Sequence, residues 1–217
     1  MTKADEDIAP RIIRHTLLDR VFHWIMAGSV ITLLVTSFLP ILGIKFSWLT
    51  IHWSTGLVLT VLVVFHIFWV SIRQDFWSMW FGFRDIKESI TTLSWLFKLT
   101  DKTAPKPGKY SAAQKLMHHT VSIVILITIV TGLLMMVKID TPFWERDPYW
   151  LSDNVWGVIY FFHGIASLSL ITIIIIHIYF ALRPEKLMYT RSMILGWLTK
   201  DECLKQHDIN RWKDNAQ

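Results

Sequence analysis

The chain has 217 residues, 53% of them apolar, with 12 Trp, 13 Phe and a mean hydropathy of +0.39. That is too apolar for a soluble domain of this size and marks an integral membrane protein. The formal net charge of +5 and the pI near 9.4 come from a one-sided distribution of Lys and Arg, so no nucleic-acid partner is needed to explain them.

In chain order, four apolar stretches are long enough to cross a hydrocarbon layer of about 30 Å, at about residues 21–39, 48–72, 116–137 and 155–182. Nothing near the start combines a short apolar core with a small-residue cleavage site, so the first span is expected to stay in the mature protein. The connection over about 73–115 is too long for a tight turn. It opens with Phe76, Trp77, Met79, Trp80, Phe81 and Phe83, suited to an aromatic belt. Ile86, Ile90, Leu93 and Phe97 then recur at helical spacing between Asp85, Lys87, Glu88 and Lys98, which predicts an amphipathic helix on the membrane surface. Pro105, Pro107 and Gly108 are expected to end it and lead into the third span. A tail, 183–217, follows the fourth span.

The segments before the first span, between the second and third, and after the fourth hold 4, 8 and 7 of the 22 Lys and Arg residues. Only Lys45, Lys138 and Arg146 lie on the other side. By the positive-inside rule both termini of the multi-pass chain are expected in the cytoplasm. The single cysteine, Cys203, excludes an internal disulfide, a C-x-x-C-H haem attachment and an iron–sulfur cluster held by this chain alone.

His163 and His177 lie 14 residues apart on the fourth span. At about 100° per residue both rings leave nearly the same helix face, roughly 21 Å apart along the axis. Ionisable residues inside lipid are costly and usually functional, and imidazole is a standard axial ligand of haem iron. Because consecutive spans run in opposite directions, His52 shares the outer leaflet with His163, and His23 shares the inner leaflet with His177. Two bis-histidine haems, one above the other, follow from that pattern. His66, 14 residues after His52, also reaches the inner leaflet and could replace His23 on geometry alone. His118 and His119 are expected near the inner surface, and His15 and His207 in solvent. Taken singly, any of these histidines could instead join helices by hydrogen bonds. Gly28, Gly56, Gly132, Gly157 and Gly164 fall within or beside spans, where they let helices or a flat macrocycle approach; Arg14 and Arg20 are candidates to meet propionates.

Arg14 with Asp19-Arg20-Val21-Phe22-His23-Trp24, then Ile51-His52-Trp53-Ser54-Thr55-Gly56, Gly108-Lys109-Tyr110-Ser111-Ala112-Ala113-Gln114-Lys115, His163-Gly164-Ile165-Ala166 and His177-Ile178-Tyr179-Phe180-Ala181 occur in that order. Over most of its length the chain thereby resembles the cytochrome b (gamma) subunit of respiratory formate dehydrogenases, within the wider superfamily of nickel-iron hydrogenase and other dihaem cytochromes b. The resemblance implies an all-α, four-transmembrane-helix bundle, a single dihaem domain over 1–217. It implies His52 and His163 on the outer b-type haem iron and His23 and His177 on the inner one, with no ligand role for His66. It also implies a quinone, menaquinone or ubiquinone, near Ser111, Ala113, Gln114 and His177. Ser111 and Ala113 stand where the family pattern has Asn and Gly, whereas Gln114 matches.

The implied function is electron transfer from a periplasmic-side iron–sulfur subunit, itself fed by a catalytic dehydrogenase subunit, through both haems to the quinone. The chain carries no dehydrogenase active site. A hydrogenase or other periplasmic oxidoreductase as donor, a standalone dihaem oxidoreductase, and a haem-free anchor or proton-conducting bundle are the alternatives.

Overall fold

Thr16 and Asp19 start the first long helix by exchanging hydrogen bonds: the Thr16 amide donates to Asp19 Oδ2 at 3.0 Å and the Asp19 amide to Thr16 Oγ1 at 3.3 Å. The exchange satisfies amides that a helix start otherwise leaves without partners. In the computed structural model, which describes residues 10–73, 76–102 and 105–213, strand β1 (Arg11–Ile13) precedes this helix, α1 (Leu17–Ile41). Then come α2 (Trp48–Arg73), α3 (Phe76–Met79), α4 (Phe83–Leu96), α5 (Ala112–Met136) and α6 (Asp153–Leu182). A 3-10 turn (Pro184–Lys186), α7 (Leu187–Leu195), β2 (Trp197–Thr199), α8 (Lys200–Gln206) and α9 (Ile209–Lys213) complete the order. Four helices are long and apolar enough to cross a membrane: Leu17–Ile41, Trp48–Trp69, Ala112–Met136 and Asp153–Leu182.

The chain divides into two compact units, one of Val21–His66 with Thr120–Phe180, the other of Met1–Arg20, Ile67–His119 and Ala181–Gln217. In the first, all four long helices meet at one apolar cluster. Val30 of α1, Leu59 and Val63 of α2, Ile125 of α5 and Leu170 of α6 form it, flanked by Met26, Leu33, Val121, Ile129 and Ile174. The opposite faces stay exposed, Val61, Val64, Val130 and Ile175 among them. An apolar exterior around a small core is what a lipid solvent permits, since hydrocarbon covers such faces without penalty.

The second unit is tied together by the chain's two ends. β1 pairs antiparallel with β2, Arg11 opposite Thr199, Ile12 opposite Leu198 and Ile13 opposite Trp197. Gly196 makes the approach possible: its φ of 94° ends α7, and a Cβ there would lie 3.0 Å from the His15 carbonyl oxygen. Thr199 and Glu202 then cap α8 reciprocally, and Leu198 and Cys203 are fully buried. Beyond them the tail grips the segment before α5. The Asp208 amide donates to the Pro107 carbonyl at 2.8 Å, Arg211 Nη1 to the Lys106 carbonyl at 2.6 Å, and Lys106 Nζ to the Leu204 carbonyl at 2.8 Å.

The amphipathic helix expected from Ile86, Ile90, Leu93 and Phe97 is α4, and all four side chains are exposed. Its polar side does the packing: Asp85 pairs with Lys115 at 3.0 Å and Glu88 with Arg211 at 2.7 Å. The helix stops at Leu96, ahead of Pro105, with Lys98 at a φ of 56°. Of the preceding aromatic run, the side chains of Phe76 and Trp77 lie outside the described residues, while Trp80 and Phe83 are exposed.

His207, expected in solvent, is only 2% exposed, because the tail folds back and buries it. Its Nδ1–H donates to the Gly108 carbonyl at 2.6 Å, while Nε2 accepts from Arg14 Nη1 and the Tyr189 hydroxyl, both at 3.0 Å. A guanidinium only donates, so the ring is the neutral Nδ1–H tautomer. Burial, with the nearby charges of Arg14 and Lys186, pushes its pKa down to about 4.

An unfolded His207 takes up its proton near pH 6.5, so between pH 6.5 and 4 the unfolded chain binds more protons than the native one. His207 therefore contributes stability that is complete above about pH 6.5 and is lost on acidification, up to roughly 3 kcal/mol. We predict that the melting temperature of the detergent-solubilised protein falls between pH 7 and 4.5, and falls less in His207→Asn. Equal falls would remove His207 as the cause.

Candidate functional site

The first unit brings two pairs of imidazoles together. His52, one turn into α2, faces His163 of α6 with ring centres 6.4 Å apart and planes inclined at 70°. His23 of α1 faces His177 of α6, also at 6.4 Å, with planes at 46°. Both pairs draw on α6, whose two histidines project from nearly one face as the 14-residue spacing requires.

The separation can be tested against a ligand. Two metal–imidazole bonds of about 2.0 Å, plus about 1.1 Å from each donor nitrogen to its ring centre, sum to roughly 6.2 Å. The ring-centre separation of both pairs, 6.4 Å, is therefore close to what a single metal atom between two imidazoles requires. Among the described residues no group of three or more His, Cys, Asp or Glu could hold a bare metal ion. Two protein donors alone suit a metal whose remaining positions are filled by a macrocycle, as in haem.

Each ring of the His52/His163 pair is held from behind. Thr36 Oγ1 lies 2.9 Å from His52 Nδ1, and Thr131 Oγ1 lies 2.8 Å from His163 Nδ1. Gly132 packs against the same ring, where an added Cβ would lie 3.4 Å from His163 Cε1. The other pair is built differently. His23 Nδ1 is buried and has no hydrogen-bond partner among the described residues, and the ring meets Trp24 edge-on at 5.2 Å.

His66 is not brought to His177. It stacks on Phe22, centres 4.9 Å apart and planes at 20°. His118 and His119 touch each other at 5.5 Å, and His119 Nδ1 bonds the Lys115 carbonyl at 2.8 Å. Of the other glycines considered, a Cβ added at Gly56 would lie 3.9 Å from Leu33, and Gly28, Gly157 and Gly164 face open space.

Ser111 and Gln114 sit in the second unit at the start of α5, where they form a reciprocal cap. The Ser111 amide donates to Gln114 Oε1 at 2.9 Å, and the Gln114 amide donates to Ser111 Oγ at 3.3 Å. Ala113 lies between them in the first turn. Arg14, a sequence candidate for a propionate, is instead 3% exposed. Its guanidinium bonds His15 and His207 and lies over the Tyr189 ring at 4.4 Å. Burial lowers its pKa, and Tyr189 and Tyr110 oppose that shift. Arg20 bonds the Ile194 and Thr16 carbonyls.

Four apolar helices carrying two facing histidine pairs define a membrane protein of the b-type cytochrome class. A family model described as prokaryotic cytochrome b561 matches residues 14–196, and the chain belongs to that family. It is 27% identical to the formate dehydrogenase cytochrome b556(fdo) subunit of Escherichia coli, covering 93% of this chain and 91% of the relative. It is 25% identical to the formate dehydrogenase cytochrome b556 subunit of Haemophilus influenzae, over 98% and 86% of the two chains. With a probable Ni/Fe-hydrogenase B-type cytochrome subunit of Rhizobium leguminosarum bv. viciae it shares 23% identity over 87% of each.

Proposed function

We propose that this chain is the membrane cytochrome b subunit of a respiratory dehydrogenase complex, holding two b-type haems. His52 and His163 ligate the outer one and His23 and His177 the inner one. The chain takes electrons from an iron–sulfur subunit on the outer face of the bacterial inner membrane and delivers them to a quinone at the start of α5, at Ser111, Ala113 and Gln114. Both termini lie in the cytoplasm, and α4 rests its exposed apolar stripe on the inner membrane surface. When bound, a bis-histidine haem supplies a reversible one-electron carrier with both axial positions filled.

The observation that carries this reading is the pair of equal separations, 6.4 Å at each level, from histidines that converge on one helix. The donor enzyme is drawn from the relatives. Two of them are named as formate dehydrogenase subunits and one as a hydrogenase subunit, and the Lys-Tyr-Ser-Ala-Ala-Gln-Lys segment favours formate dehydrogenase. Phe143, Tyr149 and Trp150 are exposed on the loop between α5 and α6 and offer aromatic surface to the iron–sulfur subunit.

Two measurements on protein extracted in mild detergent test the proposal. A pyridine haemochrome assay should give two b haems per chain, and an iron–sulfur subunit with its catalytic partner should co-purify. A colourless chain would overturn the haem assignment. A haem-loaded chain that reduces quinone with no companion would overturn the subunit assignment.

A further inference from the structure

We propose that Thr36 and Thr131 are positioning residues that set the tautomer of His52 and His163 and make the outer haem the lower-potential of the two. The proposal rests on the haem assignment above and goes beyond it, because it concerns residues that touch no haem iron.

Each threonine hydroxyl has one hydrogen to donate, and backbone carbonyls of its own helix are in reach. Thr36 Oγ1 lies 2.8 Å from the Thr32 carbonyl oxygen and 3.0 Å from that of Leu33. Thr131 Oγ1 lies 2.6 Å from the Ile127 carbonyl oxygen and 3.3 Å from that of Thr128. A helical threonine adopts the rotamers that make such bonds. With its hydrogen given to the helix, the hydroxyl faces the imidazole with a lone pair, so Nδ1 must carry the hydrogen. The lone pair of each ring then lies on Nε2, the nitrogen left for iron. Both threonines are buried, so water does not compete for these bonds.

A ligand imidazole that donates its second N–H is a stronger electron donor to the metal. Stronger donation favours ferric over ferrous iron and so lowers the reduction potential. The His52/His163 pair has this support on both rings. On the other level, His23 Nδ1 is buried with no hydrogen-bond partner among the described residues. The asymmetry makes electron transfer from the outer haem to the inner one downhill.

The test uses the full chain in its complex with Thr36→Val, Thr131→Val and the double variant, beside Thr36→Ser and Thr131→Ser. Valine keeps the shape and removes the hydroxyl acceptor while leaving the Leu33 and Thr128 carbonyls that also face the His52 and His163 rings, and serine restores the hydroxyl. Midpoint potentials are read from redox titration of the haem α bands, and the outer component is identified as the one missing in His52→Ala. The valine variants should raise the outer midpoint, the double most, with the inner midpoint unchanged. The serine variants should titrate close to wild type. Loss of the outer haem alone in the double valine variant, with retention in both serine variants, would equally support the positioning role. Two haems at wild-type midpoints in the double valine variant would overturn this inference and leave the haem assignment standing. A wild-type protein with no haem would overturn the assignment itself.

Discussion

His163→Ala should lower the haem content from two per chain to about one, and His177→Ala should do the same at the other level. In the proposed arrangement each removes one of two protein bonds to an iron. His52→Ala should match His163→Ala, and His23→Ala should match His177→Ala, because the rings face each other in those pairs at 6.4 Å. His66→Ala should keep both haems, since the His66 ring is stacked on Phe22. The pyridine haemochrome assay reads the stoichiometry, and the α band that survives shows which level was lost. If His66→Ala loses a haem while His23→Ala keeps two, the inner pair is wrongly assigned.

The second large effect concerns Gln114, whose carbonyl oxygen is already engaged by the Ser111 amide. A quinone carbonyl can use only the amide hydrogens of that side chain. Gln114→Leu removes the cap as well, at a cost of about 1 kcal/mol, so a slow variant would not by itself separate binding from folding. Gln114→Glu separates them. A carboxylate at this position keeps the reciprocal cap and suits the positive end of the helix, yet has no hydrogens to donate. We predict that both variants slow reoxidation of the pre-reduced protein by a quinone analogue about tenfold, the effect of losing a hydrogen bond worth roughly 1.4 kcal/mol. Haem content and haem reduction by the donor should be unchanged. Wild-type turnover in Gln114→Glu would leave the residue as a cap only and place the quinone elsewhere.

Hydropathy located the four crossings, but it could not give the helix starts. α1 begins at Leu17 and α5 at Ala112, each four residues before the apolar stretch opens. Thr16 with Asp19, and Ser111 with Gln114, carry those helices out past the apolar region by capping them. The facing of His52 with His163 could be read because helix periodicity and antiparallel spans fix depth without any knowledge of packing, whereas at the inner level depth alone left His66 beside His23 as a candidate partner of His177, and only the family resemblance chose His23. Thr36 and Thr131 escaped notice because each lies on a different helix from the histidine it supports. Matching depths again, Thr36 near the end of α1 against His52 near the start of α2, was the available signal. The burial of His207 had no such signal. Its partners are Gly108, 99 residues away, and Arg14, 193 residues away, and no periodic pattern links positions so far apart.

That last separation bears on how the chain is made. A ribosome adding about 5 to 20 residues per second delivers Arg14 roughly 10 to 40 seconds before His207. Through that interval β1 has no β2 to pair with, and all four long helices are synthesised before the ribbon can close. Closure of the ribbon is therefore among the last folding events open to this chain, and it reports that residues up to the tail have been completed. A chain cut short before Trp197 retains every histidine of both pairs, yet leaves the half-buried Ile12 and the buried Arg14 guanidinium without the strand and histidine that cover them, as a handle for quality-control proteases.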